Sequence, residues 1–171
     1  MHSRQIHLWI TSALLAALTY IGTIVVQIPS PMNGFVNLGD IVVLLCAYLL
    51  GPWHGAVAGG VGSLLADALT GYLLYAPGTL IIKSLMVILS GLLYRAMGKR
   101  PMGMVLSAIA AEIWMVLGYF LYAAILLGNG LAAASSIPGN LMQAAFAVVG
   151  GPALALALRA QSRIRARFPA L

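Results

Sequence analysis

Residues 35–70 read FVNLGDIVVLLCAYLLGPWHGAVAGGVGSLLADALT. The stretch is apolar almost throughout, has one acid near each end (Asp40 and Asp67), and is interrupted at Gly51-Pro52. A helix crosses a hydrocarbon core of about 30 Å with roughly 20 apolar residues. The stretch is therefore either one long span or two short ones, and a Gly-Pro pair disfavours a helix that continues through it. Four further stretches qualify as spans by themselves: Leu8–Ile28, Thr79–Met97, Gly103–Leu127 and Pro138–Leu158.

Charge decides between one span and two. Basic residues in short loops mark the cytoplasmic side of a membrane protein. Here they are Arg4; Arg95, Lys99 and Arg100; and Arg159, Arg163, Arg165 and Arg167. With two spans between residues 35 and 70, all eight fall on one side. With a single span, the 95–100 cluster falls opposite the N-terminus. The sequence thus predicts an all-α integral membrane protein with six transmembrane helices, near 8–28, 36–51, 54–70, 79–97, 103–127 and 138–158. They form a single domain over residues 1–171 with both termini cytoplasmic.

Composition agrees. Of the 171 residues 62% are hydrophobic and 7% charged, whereas soluble domains carry roughly a quarter charged residues. A soluble enzyme, a disordered chain and a disulfide scaffold are excluded, and Cys46 has no second cysteine to pair with. The pI near 9.9 reflects nine Lys/Arg against three acids. The basic tail reads as an anchor near anionic lipid and not as a nucleic-acid surface, because no aromatic residues are interleaved to stack bases. The first apolar run is too long for a signal-peptide core and has no small-residue cleavage site after it.

Four ionisable residues lie away from the basic loops: Asp40, Asp67, Lys83 and Glu112. Such groups inside a membrane are costly and mark candidate functional sites. In the six-span topology Asp40, Asp67 and Lys83 fall in the outer half and Glu112 near the middle of the fifth span. Asn140 and Gln143 share a face at the outer start of the sixth. A small cavity open to the outside has this distribution. The structural alternatives are helix capping by Asp40 and Asp67 and a buried Lys83–Glu112 pair joining the fourth and fifth spans. Tyr75 in an outer loop, and Tyr119 on the face of Glu112, would supply aromatic surface. Trp9 and Trp53 read as interfacial belt residues. The small residues Gly55, Gly59 and Gly62 read as internal packing, whereas Ala13 and Ala17 could pack internally or dock a partner helix.

Catalytic motifs are lacking. Gly98-Lys99-Arg100 is no phosphate-binding loop, and His2, His7 and His54 form no zinc pattern. No serine has a base at helical spacing, and no cofactor or metal site is expected.

The order and spacing of several short motifs resemble the S components, the membrane-embedded substrate-binding subunits of energy-coupling factor (ECF) vitamin transporters. Within that class they are similar to the riboflavin-type branch, which also holds hydroxymethylpyrimidine and vitamin B6 candidates. The motifs are Phe35–Asp40, Leu50–Ala56, Gly62–Asp67, Tyr75–Lys83, Glu112–Phe120 and Pro138–Gln143. The resemblance implies six helices and a vitamin bound near the outer face. It also implies an Ala-x-x-x-Ala face, here Ala13 and Ala17, that docks a T component driven by two cytoplasmic ATPases. The substrate-binding residues expected on these grounds are Asn37, Asp40, Asp67, Tyr75, Lys83, Glu112, Tyr119, Asn140 and Gln143. One departure is Ala123-Ala124, where the family pattern leads one to expect another acid. The alternative function is a stand-alone proton-coupled transporter using Glu112 as its titrating group, although the inverted repeats common in such proteins are absent.

Overall fold

The computed structural model describes residues 2–30, 34–168 and 170–171, with side chains described from residue 5 onward. Arg4, one of the orientation markers, therefore lies outside the described side chains. The elements are α1 (His2–Ile24), β1 (Ile28–Ser30), β2 (Gly34–Val36), α2 (Gly39–Leu69), α3 (Ala76–Ala96), α4 (Pro101–Leu121), α5 (Ile137–Arg159) and α6 (Ser162–Arg167). A π-turn over Tyr122–Leu126 continues α4, and a 3-10 helix over Gly130–Ser136 leads into α5. Among the described residues five helical stretches are long and apolar enough to cross a membrane.

One of the five, α2, is a hairpin. Gly51 has φ +78° and ψ −178°, a left-handed conformation that glycine adopts without steric cost, and Pro52 then starts the second arm with its fixed φ. The arms fold back on each other: a Cβ built at Gly55 would lie 2.5 Å from the Cys46 carbonyl oxygen, and one at Gly59 would touch Val43. The predicted break at Gly51-Pro52 thus yields two short arms and, short α6 aside, six α-helical segments among the described residues. The first arm, residues 39–50, is wholly buried apart from half-buried Ile41. At 1.5 Å per residue it rises only about 18 Å, and α1, the second arm, α3, α4 and α5 surround it.

Small residues bring the helices close. A Cβ at Gly62 would collide with the Ala16 carbonyl oxygen and lie 2.7 Å from Thr19 Cβ, so α1 and the second arm of α2 touch backbone to backbone there. Gly62→Val should therefore force them apart and lower stability by about 1–3 kcal/mol. Thermal unfolding in detergent checks this, and an unchanged Tm would exclude the contact. Gly55, Gly59 and Gly62 pack internally. On α1 the side that carries Ser12, Leu15 and Thr19 is buried, while Ala13 and Ala17 point outward and are exposed.

The two ends of the bundle differ chemically. At one end lie the α2 turn, Arg95, Lys99, Arg159 and the C-terminal residues. There Tyr94 Oη donates to the Leu171 carbonyl at 2.7 Å, and Arg159 Nη1 to the Lys99 carbonyl at 2.7 Å. At the other end lie the α2–α3 loop, the start of α5 and a short antiparallel ribbon in which Ile28 pairs with Val36 and Ser30 with Gly34. The ribbon starts at Ile28, the last residue that the hydropathy pattern placed in the first span, and α1 already ends at Ile24. Pro29 and the Ser30-Pro31 sequence explain the difference, because proline ends a helix and favours extended backbone before it.

Candidate functional site

At the end opposite the arginines, two hydrogen-bonded chains meet. The first begins at Asp40, in the first turn of α2. Lys83 Nζ forms a buried ion pair with Asp40 Oδ1, and Gln143 Nε2 donates to Asp40 Oδ2 at 2.5 Å. Gln143 Oε1 accepts from the Asn37 N–H at 2.9 Å, and Asn37 Oδ1 accepts from the Gly39 N–H at 2.8 Å. Segments far apart in sequence are thereby tied at one point.

The second chain joins α2, α3 and α4. Thr79 Oγ1 donates to Asp67 Oδ2 at 2.5 Å and lies 3.0 Å from Tyr119 Oη. A hydroxyl has one proton; with Thr79's on Asp67, Tyr119 donates to Thr79. The Lys83 ammonium sits 5.3 Å from the centre of the Tyr119 ring, within cation–π range, and links the two chains.

Above them is a recess lined by Asn37, Asp67, Tyr119, Gln143, Asn140 and Tyr75, with Ser30, Phe35, Tyr72, Ala123 and Ser136 completing the wall. Aromatic residues cap it: Phe35 of the ribbon lies 4.5 Å from Tyr72 between ring centres, and Tyr75 lies 6.0 Å from Tyr122. Tyr122 is fixed by its hydroxyl, which donates to the Leu74 carbonyl at 2.8 Å. Burial, with the Tyr122 phenol and the Asp67 carboxylate nearby, holds the Tyr75 phenol above its ordinary range. The free volume is about 50 Å³, well below the roughly 300 Å³ at the small end of ligand pockets. A ring-sized ligand would therefore need the recess to widen.

Six of the nine residues singled out from the sequence line this recess. Asp40 and Lys83 lie beneath it as a pair, so neither offers its charge directly. Glu112 does not line the recess, although it lies within electrostatic reach of Asp40 and Lys83. Its side chain borders a groove of about 490 Å³ between α4 and α5, among Ile109, Ile113, Val116, Leu141 and Val148, while both of its oxygens are buried. Neither Glu112 oxygen has a hydrogen-bond partner among the described residues. The expected Lys83–Glu112 pair is thus corrected to Lys83–Asp40, because the buried first arm of α2 brings Asp40 to the lysine first. The capping alternative is corrected as well. Leu38 is the N-cap of α2 and Thr70 its C-cap, while both aspartates face inward. Sequence reasoning missed the role of Thr79, whose position one turn before Lys83 on α3 was the available signal, and those of Ser30 and Ser136, for which there was none.

The comparisons with known proteins fit this arrangement. The model of the ECF-type riboflavin transporter S-component family matches residues 4–160. An uncharacterized protein from Pyrococcus woesei is 37% identical over 139 residues, covering 80% of this chain and 91% of that protein. A solved S component of a bacterial ECF transporter superposes with a TM-score of 0.72 at 19% identity, covering 91% of this chain and 97% of the other. At that identity the superposition speaks to the fold. An all-α, multi-pass membrane chain with a polar recess at one end and basic loops at the other, it belongs to the ECF-type riboflavin transporter S-component family.

Proposed function

We propose that this substrate-binding subunit captures a small B vitamin or vitamin precursor from outside a bacterial or archaeal cell: hydroxymethylpyrimidine, a vitamin B6-like ring or riboflavin. It would deliver the ligand together with a T component and two cytoplasmic ATPases. The observation that carries the reading is the recess itself, where amide, hydroxyl and carboxylate groups converge beneath an aromatic cap. Its one ionisable lining group of low ordinary pKa is Asp67, and the nearest cation, Lys83, is held by Asp40. That balance favours a neutral or weakly basic heterocycle over a polyanion. In a mostly apolar site, a ligand that leaves one buried polar group unmatched loses about 1–3 kcal/mol, so the recess would discriminate well between similar rings.

The test is calorimetric titration of the detergent-purified protein with riboflavin, hydroxymethylpyrimidine and pyridoxine. One of the three should bind stoichiometrically. Asp67→Asn should then weaken it about 10- to 100-fold, as expected for one hydrogen bond to a charged group. An unchanged affinity would remove Asp67 from the site, and no binding across the panel would overturn vitamin capture.

Glu112, whose buried oxygens have no hydrogen-bond partner among the described residues, favours a second reading, a stand-alone transporter that couples uptake to protons at that residue. Vesicle uptake separates the two. The ECF reading requires ATP hydrolysis by the added ATPases, whereas the second requires only a proton gradient.

A further inference from the structure

At the arginine-rich end, α1, the α2 turn, the end of α3 and the C-terminal residues line a second cavity of about 840 Å³ that opens to the surface. Leu8, Leu49, Leu50 and Phe168 form apolar walls, and Arg95, Lys99 and Arg167 bring three cations to it, with His7 and His54 beside them. Among the described residues no carboxylate side chain lines it. The chain has only three acids, and each is committed elsewhere: Asp40 to Lys83, Asp67 to Thr79, and Glu112 to the groove between α4 and α5.

Two of the cations have donor capacity to spare. The Arg95 guanidinium makes no hydrogen bond or ion pair to any described residue. Its guanidinium lies against the Gly51 turn, where a Cβ would collide with Nη2; the glycine that allows the turn also leaves room for the arginine. Arg167 Nη2 donates to His7 Nδ1 at 3.3 Å, which uses one of five guanidinium N–H groups.

We propose that this cavity binds a phosphate oxyanion, with Arg95 and Arg167 as its principal donors. Arginine forks match phosphate oxygens in pairs, and no carboxylate side chain among the described residues lines the cavity to compete for them. The apolar walls and the position at the basic end of the helices, where headgroups of the cytoplasmic leaflet lie, favour the headgroup of an anionic phospholipid over free phosphate. Basic pockets between spanning helices on that side commonly take such headgroups.

The purified protein in dodecyl maltoside is titrated with dihexanoyl-phosphatidylglycerol, below its micellar concentration, and separately with inorganic phosphate. Native mass spectrometry counts the bound molecules. A one-to-one adduct is expected. Arg95→Gln and Arg167→Gln should each weaken it at least about tenfold, in line with a lost charge-assisted hydrogen bond. Arg100→Gln and Arg163→Gln, both exposed and outside the cavity, should change it less than about twofold. The same pattern with phosphatidylglycerol alone identifies a lipid site, and with inorganic phosphate as well a general phosphate site; both support the proposal. Equal losses in all four variants would mean diffuse attraction to a basic surface, and no stoichiometric adduct would mean no site; either overturns it. Arg167→Gln lies on the exposed, short α6, so the test survives if Arg95→Gln folds poorly.

Discussion

Replacing Lys83 by Met is expected to destabilise the protein by about 3–5 kcal/mol, the range for removing one partner of a buried ion pair. Both side chains are almost fully buried, at 4% and 1% exposure. Without the ammonium, Asp40 keeps only Gln143 as a side-chain donor and becomes an uncompensated charge in the interior. The arithmetic differs if both charges go. Lys83→Met with Asp40→Asn removes both charges of the pair together, and the amide introduced in place of the carboxylate still offers an oxygen to Gln143, so most of the loss should be recovered. Equilibrium unfolding in mixed micelles of the two single variants and the double variant measures this as a cycle. Additive losses, or a single-variant loss below about 1 kcal/mol, would show that the pair does not hold α2, α3 and α5 together. The pair also matters to the recess. Asp40 orients Gln143, and Gln143 lines the wall, so the double variant reports whether that orientation depends on charge or only on a hydrogen bond.

What the sequence disclosed, and what it did not, follows from the range of the forces involved. The six helical segments were legible because hydropathy and proline are local signals and basic loops settle parity. The Gly51-Pro52 turn shows this best, since two adjacent residues determine it. The short ribbon at Ile28–Val36 was not legible, because three-residue strands carry too little periodicity. Six residues of the recess wall could be named because polar side chains in an apolar chain are few, and helical rise places them at the same end. Their pairing could not be named. Whether Lys83 meets Asp40 or Glu112 depends on which helix lies between them, and that depends on close approaches such as Gly55 to the Cys46 carbonyl and Gly62 to the Ala16 carbonyl. Helical spacing puts Tyr119 on the face of Glu112, but it does not say that Tyr119 bonds Thr79 while the Glu112 oxygens find no hydrogen-bond partner among the described residues. The rotation of α4 against α3 is fixed by contacts that no single-helix pattern contains, among them Gly118 packed on Ile82 and Trp114 donating to the Ile82 carbonyl at 3.1 Å.

Ala13→Leu or Ala17→Leu should abolish coupled uptake while leaving ligand binding in detergent unchanged. The two alanines lie one turn apart on the open side of α1, and the residues that fasten α1 to α2 lie on the other side, where Ala16 and Thr19 meet Gly62. Adding bulk at 13 or 17 therefore disturbs no internal contact, and the recess lies far along the helix, beyond Thr23. What the substitution does disturb is approach from outside. Helices in a membrane associate through close packing at small residues, because burial of apolar surface gives no driving force in lipid. A leucine holds a partner backbone away and forfeits the dispersion contacts that close approach would allow. The neighbours Ile10, Leu14, Leu18 and Ile21 are exposed as well, so the alanines form a shallow depression along an otherwise bulky stripe. Reconstitution with the T component and the ATPases would measure uptake and complex formation, with calorimetry for binding. Uptake that persists would show that the coupling partner docks elsewhere. Binding lost together with uptake would show that this face supports the fold, and the Gly62→Val variant calibrates that outcome, since it damages the α1–α2 contact directly while leaving the open face intact.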